Sequence, residues 1–397
     1  MTSIVDPKTS AVSVRRRTDS RGVGGLWTDS GQPWIEALKF DLLIHLIAFP
    51  LAYVGNVLIA RAQSHLSPGF WHIWSQWDVR LYLGIARHGY TGPLALPHSV
   101  AFFPFLPLAL RSLIGIGVPG VGAGLAVSGL ALLVVLAYLY RLANEICPGS
   151  GQRALLYLCI FPMAVFLVAG YSESLFLAGT VPAFYYARHE RWPLVAPFAA
   201  LAVGTRFAGI FVLFGLGVCF LQQRQFTARR IAEVILALGV GLAPLVGFAI
   251  FLWRAKGTPL AYFNAERAGW GRHFSWPLTS FIRTLEHHAA PAHSSRIWDT
   301  AWRIEIIAAF IGVYFTVWAI RRWELGWAAY MAGTLGTLML SSIYFSIPRM
   351  LLSLFPIPLL LAEYAGTSPR IRAYLAVGMG AIAALGTVVF THGIWFF

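Results

Sequence analysis

Pro119-Gly-Val-Gly-Ala-Gly-Leu-Ala-Val-Ser-Gly-Leu-Ala-Leu-Leu-Val-Val-Leu-Ala-Tyr-Leu-Tyr140 carries no charged side chain. As a helix rising 1.5 Å per residue, a run of about 20 such residues crosses the ~30 Å hydrocarbon layer of a bilayer. Apolar stretches recur at about 40–60, 154–169, 171–187, 192–204, 206–222, 231–253, 299–320, 326–346, 348–365 and 371–391. A soluble protein with an oversized core would need polar faces on these helices, and most of them lack one. The sequence therefore predicts an all-α, polytopic transmembrane helical bundle of roughly 11 spans.

Composition agrees. Charged residues make up 12% of the chain and hydrophobic ones 58%, with a mean hydropathy of +0.67; soluble domains carry about 25% charged residues. The net charge of +14 does not indicate nucleic acid. The basic residues form short clusters between apolar runs, as expected of a chain that sets its membrane orientation by keeping arginine and lysine on the cytoplasmic side. Cys147, Cys159 and Cys219 are too few and too scattered for a disulfide framework or a zinc site.

Arg15-Arg16-Arg17 and Lys39 precede the first apolar run and place the N-terminus in the cytoplasm. Residues 1–39 then read as a disordered cytoplasmic tail and 40–397 as a single transmembrane domain. The inside ends carry Arg141 and Arg153, Arg188 and Arg191, Arg224 with Arg229 and Arg230, Arg321 and Arg322, and Arg370 and Arg372. Two segments, 61–118 and 255–298, fall outside as large extracytoplasmic loops. In the first, a short helix is expected through Ala86, and Leu108 to Ile116 as a helix lying at the membrane surface. The second holds Lys256, Arg267, Arg272, Arg283 and Arg296, charges that suit an anion such as a lipid phosphate. Gly120 and Gly124 have the small-xxx-small spacing of close helix contacts.

The acids predicted at the outer side are Asp78, Glu173, Glu266, Glu286, Asp299 and Glu305. Transfer of a sugar to an alcohol needs a carboxylate to take the acceptor proton. Asp78, in Ser75-Gln76-Trp77-Asp78-Val79-Arg80-Leu81-Tyr82, stands between aromatic residues whose faces suit sugars and headgroups, and it is also placed to cap the helix that follows. Glu173 in Tyr171-Ser172-Glu173-Ser174 reads either as a functional carboxylate at membrane depth or as a helix start. Arg206 and Arg349 lie at outer ends of spans, where each could clamp phosphate or pair with an acid. His287, His288 and His293 form the densest histidine group; a divalent cation there could neutralise a leaving phosphate, but the carboxylates it prefers are sparse. The chain has no Gly-x-x-x-x-Gly-Lys-Ser/Thr loop and no Asp-x-Asp motif, so the donor is expected at the outer face.

Trp77-Asp78 with Tyr82-Leu83-x-Ile85-Ala86-x-x-Gly89-Tyr90, and then Ala101-Phe102-Phe103-Pro104-x-x-Pro107, resembles the bacterial relatives of the second mannosyltransferase of GPI-anchor assembly, the PIG-V-like proteins. Tyr171-Ser172-Glu173-Ser174-Leu175-Phe176, Thr205-Arg206-x-x-Gly209, Gly257-x-Pro259 with Trp270-Gly271-Arg272, and Pro348-Arg349 follow in similar order. The resemblance implies a GT-C fold and an inverting transfer from a polyprenyl-phosphate-linked sugar, most simply mannose, to a lipid or glycan acceptor. It places the catalytic acid at Asp78. Trp77, Tyr82, Glu173, Arg206, Arg272 and Arg349 become substrate-binding candidates. Relatives often carry an acid shortly before the Phe-Phe-Pro string; here His98 stands in that stretch as a candidate substitute. A transporter or flippase of a lipid-linked sugar is the alternative, although no two-half repeat is evident.

Overall fold

The fold is described from a computed structural model, which covers residues 31–62, 69–223, 226–289 and 296–394. The described residues form α-helices and no extended strand, apart from one isolated bridge between Phe274 and Ser341. The helices are α1 (Gln32–Ala62), α2 (Phe70–Ile73), α3 (Asp78–His88), α4 (Phe105–Gly115), α5 (Gly120–Ile146), α6 (Gly151–Cys159), α7 (Val165–Val168), α8 (Ser172–Arg188) and α9 (Trp192–Thr205). They continue as α10 (Gly209–Gln223), α11 (Ala228–Lys256), α12 (Ala261–Trp270), α13 (Pro277–Ala289), α14 (Arg296–Arg321), α15 (Leu325–Met339), α16 (Ile347–Ser353), α17 (Pro356–Ala365) and α18 (Pro369–Thr391).

The predicted apolar runs are helical over most of their length, and by length and composition fewer than 11 of them are single unbroken spans. Among the described residues, five stretches are long and apolar enough to span a membrane: Gln32–Leu58, Gly120–Ile146, Ala228–Lys256, Ala301–Arg321 and Pro369–Thr391. A sixth arises if α16 and α17, bent by 78° at their junction, count as one span. The difference from 11 has two physical sources. Helices α8, α9, α10 and α15 have 14 to 17 residues, or about 21–26 Å, short of the hydrocarbon thickness. Proline interrupts other runs: Pro162 stands in the break between α6 and α7, and Pro356 opens α17.

The long helices α1, α11 and α18 are the most exposed, with 22%, 22% and 17% of their apolar windows buried. The short α8 is buried on nearly every side. Residues 32–39, expected in the tail, form the first turns of α1; residues 1–30 lie outside the described residues. Helix α4 starts three residues earlier than expected, at Phe105, and buries Leu106 and Leu110 in its packing with α3, α5 and α9.

Glycines set the closest approaches. A Cβ on Gly179 of α8 would stand 2.5 Å from the Ala202 nitrogen and 2.6 Å from the Phe198 oxygen, so α9 packs directly on the α8 backbone. Of the predicted Gly120/Gly124 pair, Gly124 makes the backbone contact: a Cβ there would lie 3.3 Å from the Gly170 Cα. Gly170 has φ +72° and turns the chain from α7 towards Tyr171 and α8.

Candidate active site

The turn before α3 aims its first residue. The Val79 N–H donates to the Gln76 oxygen at 3.0 Å, and Trp77 between them has φ 46° and ψ −118°. These angles belong to the first central residue of a type II′ turn, a position dominated by glycine; a bulky residue there costs of order 1–3 kcal/mol. Asp78 thereby becomes the first residue of α3, and the expected side-chain cap does not form. Its amide donates instead to the Tyr171 hydroxyl at 3.2 Å. Its carboxylate accepts from Arg349 Nη1 at 3.0 Å.

Arg349 joins two acids. Its Nε lies 3.1 Å from Glu173 Oε1, and the same oxygen accepts from Arg206 Nη1 at 2.8 Å. Glu173 is fully buried in the first turn of α8, where the positive end of the helix dipole favours a carboxylate. Arg206 leaves the C-terminus of α9 in extended backbone and also donates to Ser353 Oγ at 3.3 Å. The Arg349 guanidinium lies 5.4 and 5.3 Å from the ring centres of Phe166 and Tyr171. Glu173 thus begins a helix and pairs with two arginines.

The orientation of Arg349 depends on Glu305, a fully buried acid of α14. Its two carboxylate oxygens accept the Ser346 and Ile347 N–H groups at 2.6 and 2.8 Å. These are leading amides of α16, otherwise without intrahelical partners, and Ser346 itself is left-handed at φ 65°. Also on the cavity wall, Arg272 pairs with Glu266 at 3.0 Å and donates to the Phe345 oxygen at 3.3 Å. The strand-like stretch after Arg272 is stitched to the turn preceding α16: the Ser275 N–H donates to the Leu340 oxygen at 2.8 Å, and Ser342 Oγ donates to the Gly271 oxygen at 2.8 Å.

These side chains surround a cavity of about 440 Å³, within the range of small-ligand pockets. Trp77, Asp78, Tyr82, Arg206, Arg272 and Arg349 line it. Glu173 sits behind that wall. His98 does not join them. It is exposed at the left-handed start of the short 3-10 turn Ser99–Ala101, with its ring 6.2 Å from Trp270. That turn directs Ala101, Phe102 and Phe103 to the cavity and His98 towards α12.

The sequence reading did not single out Tyr171, Phe166, Ser172 or Tyr262 as lining residues. Among the described residues, buried polar atoms at the site without a hydrogen-bond partner include Glu173 Oε2, Arg272 Nε and Thr334 Oγ1, while Arg349 Nε meets Glu173 only as an ion pair. Such groups are rare in folded proteins. Among the described residues, no three of His, Cys, Asp and Glu gather as a metal-binding group. The side chains of His287, His288 and His293 lie outside the described residues.

The family model of mannosyltransferase (PIG-V) matches residues 51–238. That range holds the Trp77-Asp78, Phe102-Phe103-Pro104, Tyr171–Phe176 and Thr205-Arg206 strings. The GPI alpha-1,6-mannosyltransferase 2 of Homo sapiens is 35% identical over 279 residues, covering 63% of this chain and 52% of the human protein. The mouse protein of the same name, from Mus musculus, is 29% identical over 276 residues, with the same coverage. The chain thus spans about half the length of the curated relatives it matches. Among solved structures, the crystal structure of ArnT from Cupriavidus metallidurans bound to undecaprenyl phosphate matches with a TM-score of 0.51. It is 13% identical and covers 91% of this chain and 65% of that one. The PIG-V-like resemblance read from the motifs is borne out, and so is the GT-C type helical bundle. With its apolar helices, the chain is a multi-pass integral membrane protein.

Proposed function

We propose that this protein is an inverting glycosyltransferase that moves mannose from polyprenyl-phosphate-mannose to a hydroxyl of a lipid or glycan acceptor on the extracytoplasmic side. The observation that carries the reading is the placement of Asp78 on the wall of a cavity that Glu266, Arg206 and Arg272 also line, with Arg349 at hydrogen-bond distance. A carboxylate on a cavity wall that three arginines also line meets the two needs of the reaction, a proton acceptor and a holder for phosphate. The mannosyltransferase names of the relatives and the undecaprenyl phosphate of the structural neighbour support the choice of donor.

In this mechanism the acceptor oxygen attacks the anomeric carbon as its proton passes to Asp78. The bond from that carbon to the phosphate oxygen breaks, and the electron pair leaves with the lipid phosphate. A single displacement of this kind inverts the anomeric configuration. Arg206, Arg272 and Arg349 hold the charge that develops on the phosphate. Glu173 fixes the first and last of these in place, and Trp77 and Tyr82 bound the sugar.

The test is transfer of radiolabelled mannose from polyprenyl-phosphate-mannose to a host lipid extract by purified protein, with Asp78→Asn alongside. Loss of transfer in a folded Asp78→Asn protein is the expected result. Transfer retained in that variant removes Asp78 from the role of base.

A further inference from the structure

We propose that Trp77 is kept in a conformation suited to glycine because its indole forms the face on which a pyranose ring packs beside Asp78. This rests on the glycosyl-transfer reading of the same cavity. Trp77 combines φ 46° with ψ −118° at the first central position of the Gln76–Val79 turn. Glycine takes these angles without steric penalty, and a side chain with a Cβ does not.

The surroundings hold the turn in place from both sides. Arg80 Nε donates to the Ser75 oxygen at 2.6 Å and Arg80 Nη2 to Gln76 Oε1 at 3.3 Å. From the cavity side, the Tyr171 hydroxyl accepts the Asp78 amide. Strain that the surrounding structure enforces in this way clusters at functional sites. None of these bonds uses the indole.

Trp74, three residues earlier, shows what a structural tryptophan looks like in this segment. It is fully buried, with its ring 5.4 Å from that of Phe49. Trp77 is 45% exposed, and among the described residues no other ring packs on it. Yet it lines the cavity next to the carboxylate proposed to receive the acceptor proton. The fold tolerates the residue and gains little from it. An indole face, apolar and flat, matches the C–H face of a pyranose. Because Asp78 acts at the bond between donor sugar and acceptor, a ring one residue away reaches a sugar on one of those two sides.

The experiment compares Trp77→Gly, Trp77→Ala and Trp77→Phe in the full chain, purified in detergent. Unfolding temperature reports the strain. At ordinary positions alanine is the more stable of the two small residues, so a higher unfolding temperature for Trp77→Gly than for Trp77→Ala is the expected reversal. Binding reports the sugar contact. Affinity for polyprenyl-phosphate-mannose falls roughly three- to tenfold in the glycine and alanine variants. Affinity for bare polyprenyl phosphate stays unchanged, and Trp77→Phe restores most of the loss.

If donor affinity holds but KM for the lipid-extract acceptor rises in both small variants, the pyranose belongs to the acceptor and the proposal stands. An alanine variant as stable as the glycine one overturns the strain argument. Donor affinity and acceptor KM both unchanged overturn the sugar contact, even where Asp78→Asn still abolishes transfer. A wild-type protein that binds both lipids equally and transfers no mannose overturns the glycosyl-transfer reading instead.

Discussion

Asp78 and Arg349 are 271 positions apart in the chain and 3.0 Å apart in the cavity wall. The pair makes the proposed base and a proposed phosphate holder one unit. In the proposed mechanism, a phosphate that engages Arg349 would compete with Asp78 for the same guanidinium, and donor binding would free the carboxylate for the acceptor hydroxyl. Arg349→Lys keeps a positive charge but loses the planar fork that reaches both Asp78 and Glu173. We expect transfer by that variant to fall roughly 100-fold, with weaker binding of polyprenyl phosphate. Steady-state transfer and equilibrium lipid binding check the two effects separately.

Glu173 has no exposure at all, and its partners are both cations. Glu173→Ala leaves Arg206 and Arg349 without their counter-charge inside the protein and is expected to destabilise by about 3–5 kcal/mol. Glu173→Ala combined with Arg206→Ala should cost less than the sum of the single changes, because the residues share one interaction. Denaturation of the four proteins of this cycle measures the coupling.

Glu305 acts on the site through backbone. Glu305→Gln retains one acceptor oxygen for the Ser346 and Ile347 amides and turns the other into a donor facing a donor. A loss of about 1–3 kcal/mol is expected, together with reduced transfer, since the first turn of α16 carries Arg349. Glu305→Asp, which keeps the charge on a shorter arm, should recover part of the stability. Thermal unfolding and transfer rates for both variants decide the matter.

Gly179 allows α9 to rest on the α8 backbone. Gly179→Ala would place a methyl group within 2.6 Å of main-chain atoms that have no rotamer to change, and the expected destabilisation is about 1–3 kcal/mol despite the better helix propensity of alanine. Gly217, whose Cβ would meet nothing within 4 Å, is the control: Gly217→Ala should be neutral or stabilising. Unfolding temperatures of the two variants give the comparison.

His189, at the end of α8, lies 3.2 Å from Glu145. The hydrogen bond to that carboxylate raises its pKa above the ordinary 6.5, against the opposing effect of burial. A folded-state pKa above the unfolded one gives stability that is fully present below the unfolded pKa and lost as pH rises through the folded pKa. The His189→Gln variant should therefore trail wild type in unfolding temperature at pH 5.5 and converge with it at alkaline pH. The side chain is 38% exposed, which keeps the effect small.

Much of the site was legible because charge is scarce in this chain. With 12% charged residues, an acid or arginine between apolar runs stands out, and Asp78, Glu173, Arg206, Arg272 and Arg349 do gather around one cavity. Glu305 was visible as an outer acid, but its role was not, because its partners are main-chain amides 41 and 42 residues away. His98 was singled out by its place in the string, but the local 3-10 turn leaves it exposed beside α12 and outside the lining residues. The helices were legible and their number of crossings was not. Apolarity along a sequence is the same whether a helix meets lipid or other helices, and only packing separates α8 from α18.

That separation matters for how the site responds to its solvent. A bilayer that becomes thinner or thicker acts on helices long enough to feel both its faces, which tilt to match it. Helix α8, with Glu173 in its first turn, is only 17 residues long and is clad by protein. A change in lipid chain length is therefore expected to act first through tilt of the long, exposed helices α1, α11 and α18, and not directly through α8.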